Sequence, residues 1–181
     1  MSRYPSLNIA IHWLLAIMIL IAFAMGFYMV DLTISPNKLK LFAWHKWLGV
    51  SILGLVGIRL LSRLILGAPA YPASMKLWEK YIANLTHIIL YILMFAVPIS
   101  GYLYTYAAGF PIVYLGLFEL PAIIPPLTEQ KNLLKDLHET LTMSMLIVLI
   151  LHLLAVIKHQ FIDKDEILYR MLPIQRKSDQ K

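Results

Sequence analysis

Residues 137–161 read LHETLTMSMLIVLILHLLAVIKHQF. The stretch is apolar enough to cross a bilayer, yet it carries His138, His152 and His159. On an α-helix each residue turns about 100° and rises about 1.5 Å, so the step from His138 to His152 returns to nearly the same face about 21 Å further along. His159 follows close to the same stripe. Imidazoles near opposite sides of a hydrocarbon core about 30 Å thick predict two stacked cofactor sites. Their partners must come from the remaining chain.

The chain has 181 residues, 60% of them hydrophobic and 14% charged, with a mean hydropathy of +0.71. A soluble domain is nearer 45–50% apolar and about 25% charged. The composition is that of an integral membrane protein with no room for a large soluble domain. There is no cysteine, which excludes disulfides, thiolate-ligated iron–sulfur clusters and thiol nucleophiles. The net charge of +6 requires no nucleic acid, because membrane proteins carry basic residues for orientation.

Four spans are expected, at about 7–30, 41–66, 81–104 and 137–161. No charged side chain interrupts residues 4–30. Ala22, Phe23 and Ala24 resemble a signal-peptide cleavage site, but the apolar run is longer than a typical h-region. In the second span, Gly49, Gly54 and Gly57 lower helix propensity and need a reason, either close helix packing or clearance for a flat ligand. Pro98 falls inside the third span, where lipid-embedded helices tolerate it. Residues 107–136 form a long connection with four prolines, expected to lie against the membrane face as a lid. Residues 162–181 read as a charged tail.

Four spans put the N-terminus, the second connection and the C-terminus on one side. That side holds eleven Lys and Arg residues, against five on the other: Lys38, Lys40, Lys46, Lys131 and Lys135. The positive-inside rule then places both termini in the cytoplasm. In depth, His45 and His138 form the outer layer. The inner layer offers His152 with either His12 or His87.

Two imidazoles alone suit zinc, copper or iron. The spans lack the further Cys, Asp or Glu ligands that a closed zinc site would add. Haem needs only two axial ligands, and helix bundles build such sites from inward-facing side chains. Two histidines on one iron leave no open position, which favours outer-sphere electron transfer. The competing reading for any single histidine is an interhelical hydrogen bond. His87 stands nearer to that reading, and His159 nearer to that of a snorkelling residue at the interface. Trp13, Trp44, Trp47 and Trp78 read as interface aromatics and the methionines as packing residues.

The chain resembles the bacterial cytochrome b561 family, four-helix di-haem membrane proteins that include superoxide oxidase. The resemblance rests on Ile11, His12, Trp13 and Leu14, on His45 near the start of the second span, and on His138, Glu139 and Thr140. It also rests on His152 seven residues before His159, and on Lys164, Asp165 and the run Arg170, Met171, Leu172, Pro173. Pro5 and Ser6 depart from the family pattern, which has a serine and an arginine there. The resemblance implies an all-α four-helix bundle in the bacterial inner membrane with two haem b groups. His12 and His152 would hold the inner one, and His45 and His138 the outer one. It also implies a reaction in which superoxide outside gives electrons that pass through both haems to ubiquinone. The five outer lysines are candidates for steering the anion. Arg3, Tyr4 and His159 are candidates for a quinone pocket, where a histidine can exchange protons near neutral pH. The alternative is a cytochrome b subunit that carries electrons between a dehydrogenase partner and the quinone pool. A third reading has no haem and only structural histidines.

Overall fold

The computed structural model describes residues 3–72, 74–127, 129–165 and 167–173. Four helices dominate it: α1 over Ser6–Val30, α2 over Pro36–Leu66, α3 over Leu77–Ala107 and α4 over Lys131–Lys158. Each is long and apolar enough to cross a membrane. Their outward faces are apolar and exposed, for example Ile17 and Ile21 on α1 and Ile147, Leu151 and Leu154 on α4. In lipid such a surface carries no penalty, because the bilayer interior is as apolar as the side chains. The shared core is thin: Ile11, Leu15, Ile19, Ile52, Val56, Leu93 and Met145.

The helices pack in a series, α1 on α2, α2 on α3 and α3 on α4. The first and last helices of that series form no comparable seam. The bundle is therefore open along one side of its interior, between α1 and α4.

Three helices start earlier than hydropathy suggests, each for a local reason or through added turns. α2 begins at Pro36 rather than near 41, because the Ser35 hydroxyl accepts from Lys38 N at 3.3 Å and Pro36 opens the first turn, a favoured helix start. α3 begins at Leu77 rather than near 81; Glu79 reaches back to accept from Lys76 N at 3.0 Å, as in a capping box. It also runs on to Ala107. α4 begins at Lys131 rather than near 137, two polar turns before the apolar run. The long connection is correspondingly shorter, residues 108–130.

That connection carries two short antiparallel strands, β1 at Val113–Tyr114 and β2 at Phe118–Glu119. Its turn passes through Leu115 and Gly116, both at positive φ, where only glycine is free of steric cost. The hairpin is tied down on α2. Trp47 Nε1 donates to Val113 O at 2.6 Å, Ser51 Oγ and the Tyr114 hydroxyl lie 2.8 Å apart, and Lys46 Nζ donates to Pro111 O at 3.3 Å. Tyr102 and Tyr106 on α3 donate to Pro121 O and Leu120 O. Ile112 is only 2% exposed beneath it.

The opposite end is closed by the C-terminal segment. α4 passes into a π-helical turn over His159–Asp163, then a left-handed Lys164, then a 3-10 turn over Ile167–Arg170. From there the backbone crosses to the N-terminus. Tyr4 N donates to Arg170 O at 3.3 Å, Trp13 Nε1 to Met171 O at 2.7 Å and Arg3 to Leu172 O. Arg170 donates to Ala70 O at 2.7 Å. The expected charged tail is thus a packed strap as far as residue 173; residues 174–181 lie outside the described residues.

Since the chain has no cysteine, single cysteines report the membrane topology without interference. Ile34→Cys, 89% exposed between α1 and α2, and Leu117→Cys, 77% exposed in the hairpin, should react with an impermeant maleimide from the same side of sealed vesicles. Ser74→Cys, exposed between α2 and α3, should react only from the other. Reaction of all three from one side would contradict four spans.

Candidate cofactor-binding sites

At the hairpin end, the gap between α1 and α4 widens into a cavity of about 420 Å³. Its wall is mostly apolar, including Ile19, Ala22, Phe23, Phe27, Ile52, Met94 and Met145. His45 from α2 and His138 from α4 both line it. The His138 ring is fixed by α3. Its Nδ1 lies 3.0 Å from Val97 O and 3.1 Å from Ser100 Oγ. A carbonyl only accepts, so Nδ1 carries the proton and Nε2 keeps its lone pair for a metal. His45 Nδ1 is buried beside the Ala22 backbone without a well-formed hydrogen bond among the described residues.

Glycines clear the space around both rings. A Cβ on Gly101 would stand 2.9 Å from His138 Cε1, and one on Gly26 would stand 3.5 Å from His45 Cε1. On α2, a Cβ at Gly49, Gly54 or Gly57 would meet nothing within 4 Å. Close helix packing therefore does not account for these glycines, which cost about 1 kcal/mol each relative to alanine in a helix. Gly49 lines the cavity, where a flat ligand would use that clearance, whereas Gly54 is exposed. Paired imidazoles across an apolar slot, one with its tautomer set by a backbone carbonyl, fit a haem ligated on both faces.

At the strap end, His12 on α1, His87 on α3 and His152 on α4 share one level, within electrostatic range of one another. The His87 and His152 rings meet edge to face with centroids 5.6 Å apart. This contact lies between α3 and α4, which pack closely. His87 Nδ1 is buried without a partner among the described residues. Beside this level lie Asn8, Arg59 and Ser62, all buried. Arg59 donates to Asn8 O at 3.0 Å and Ser62 Oγ to Asn8 Oδ1 at 2.5 Å.

The other sequence candidates divide. Lys38 donates to Val30 O at 3.2 Å and to Leu32 O, so it caps the C-terminal end of α1. Lys46 holds the hairpin. Lys40 stands on the first turns of α2 and Lys131 opens α4. Lys135 pairs with Glu139 at 3.1 Å, and both line the cavity. Arg3 and Tyr4 are bound to the strap. Tyr4 lines a narrow crevice with Asn8, Arg59, Arg63 and Met171. His159 is not among its lining residues. It is buried in the π-helical turn, with Nδ1 2.6 Å from Asp165 and 3.0 Å from Asp163. Asp163 and Glu79 each pair with Lys158 at 2.6 Å.

Sequence reasoning passed over Val97, Ser100, Gly101, Asn8 and Arg59 as site residues. Polar or small residues inside an apolar span were the available signal, but which histidine each one serves depends on packing between helices.

Comparison with known proteins agrees with this architecture. The model of the prokaryotic cytochrome b561 family matches residues 3–173. "Cytochrome b561 homolog 2" of Escherichia coli (strain K12) is 36% identical over 172 residues, covering 94% of this chain and 92% of that protein. "Cytochrome b561 homolog 1" of the same organism is 28% identical over 177 residues, covering 96% and 98%. "Probable superoxide oxidase CybB" of Yersinia pestis is 30% identical over 185 residues, covering 97% and 98%. With the match running through all four helices and the strap, the chain belongs to the prokaryotic cytochrome b561 family, haem b proteins of transmembrane electron transfer.

Proposed function

We propose that this protein oxidises superoxide at the outer face of the bacterial inner membrane and reduces ubiquinone, by way of two haem b groups. His45 and His138 hold the outer haem, and His12 and His152 the inner one. The observation that carries the reading is the His138 ring: Val97 O fixes its tautomer, and it shares a glycine-cleared apolar slot with His45. When bound, each haem supplies a one-electron iron couple with no open coordination position. The excess of basic residues at the strap end supports cytoplasmic termini.

The chain's own residues have distinct tasks. Two superoxide anions yield two dioxygen molecules and two electrons, which with two protons convert ubiquinone to ubiquinol. Lys135, at the cavity wall, is the best-placed cation for drawing the anion in, with Lys40 and Lys131 adding to the local potential. Lys38 and Lys46 contribute charge but are held by backbone carbonyls. The hairpin covers one end of the bundle, and the apolar cavity wall keeps water from the electron path. At the other end, Arg3 and Tyr4 border the quinone pocket through the strap. His159, outside the lining of that crevice and held by Asp165 in the π-helical turn, would supply protons from beside it rather than from within it. The relative named a probable superoxide oxidase supports this choice of donor.

Purified protein should yield about two haem b per chain in a pyridine haemochrome assay, and about one in His138→Ala or His152→Ala. Retention of both haems in either variant would remove the ligand assignment. Gly101→Val should also fall towards about one haem, because the new side chain occupies the position of the His138 ring; unchanged content would mean that this ring is not a ligand. Superoxide should reduce the haems of the isolated protein, with ubiquinone reoxidising them. Reduction only when a dehydrogenase is added would establish the carrier-subunit function instead.

A further inference from the structure

Arg59 lies within the membrane span of α2 and is only 8% exposed. No carboxylate pairs with it among the described residues. Its neighbours are neutral or cationic: Asn8 O accepts one hydrogen bond, Tyr91 lies against it, and Arg63 follows one turn along the same face. A buried guanidinium with no counter-ion is strongly unfavourable, and breaking such a pair typically destabilises a protein by several kcal/mol. Among the described residues the polypeptide offers it no anion, which leaves the charge open to a bound anionic group. A second group calls for an acceptor at the same place. Asn8 Nδ2 is buried without a partner among the described residues, and its residue is 3% exposed. Both groups adjoin the level of His12 and His152, the residues that would hold the inner haem. Asn8 is one helical turn before His12 on the same face of α1. Arg59 is within electrostatic range of both His12 and His152. The only ionised groups of haem b are its two propionate carboxylates. A planar guanidinium matches a carboxylate with two parallel hydrogen bonds.

We propose that Arg59 and Asn8 form the seat for a propionate carboxylate of the inner haem, with Arg63 supporting the charge. This rests on the di-haem reading above and assigns Arg59 as a cofactor-binding residue. Haem and the buried arginine then become mutually dependent, since each neutralises a charge the other would leave exposed to lipid.

The test uses full-length holoprotein produced with haem ¹³C-labelled at the propionate carboxyls. Redox-difference infrared spectra of the wild type should contain isotope-sensitive carboxylate bands. In Arg59→Gln one of these bands should move. One of the two haem midpoint potentials should fall, and it should be the one lost in His152→Ala. Arg59→Lys, which keeps the charge and loses the bidentate fork, should move the same band while changing the potential less. If Arg59→Gln fails to accumulate, Arg59→Lys and Asn8→Leu carry the band test. Unmoved bands in variants that retain both haems would overturn the pairing, as would a fall in potential without any band shift. Wild-type protein containing no haem would instead overturn the di-haem reading itself.

Discussion

The structure depends on a gap. α4 packs on α3 but forms no comparable seam with α1, so the bundle keeps an apolar cavity at its hairpin end, lined by His45 and His138. A core of leucine, isoleucine and methionine would close such a slot if side chains could reach across, because packed interiors leave few voids. Here glycines at 26, 49 and 101 and the spacing of the helices prevent closure. The thin shared core is the counterpart of this. Few residues are fully buried in the described structure, and the proposed haems would supply the missing apolar contact. On that view folding and cofactor uptake are coupled, as in other bundles whose sites are built from facing side chains.

The two ends of the bundle are finished differently, and each finish bears on electron flow. The hairpin is clamped by Trp47, Ser51 and Lys46 on α2 and by two tyrosines on α3. It covers one end with backbone whose polar groups are paired, as the membrane interface demands. The strap closes the other end by carrying the chain from α4 back to α1. Its π-helical turn buries His159 against Asp165, and π-turns of this kind recur at functional positions. Charges are placed accordingly. Lysines and ion pairs sit at the ends, while Arg59 sits inside with no acid partner among the described residues. That asymmetry points to a ligand rather than to surface decoration.

Much of this was legible in the residues alone. Hydropathy and length mark four spans, because a bilayer demands about 20 apolar residues per helix. Helical periodicity places His138 and His152 on one face at two depths, and the direction of each span assigns His45 and His12 to a layer. Depth alone left His12 and His87 as equal candidates, since both lie near the start of inward-sided helices. The structure adds that His87 meets His152 edge to face between α3 and α4 while His12 lies within electrostatic range of both, and the choice of His12 as the ligand belongs to the proposed function. Depth follows from position along a helix, whereas the choice of neighbour follows from contacts between segments distant in the chain. The hydrogen bond from His138 to Val97 and the approach of Arg59 to Asn8 are of that second kind. So is the strap, whose residues look merely charged until Trp13 and Tyr4 are brought within reach by the folding of α1 against the rest.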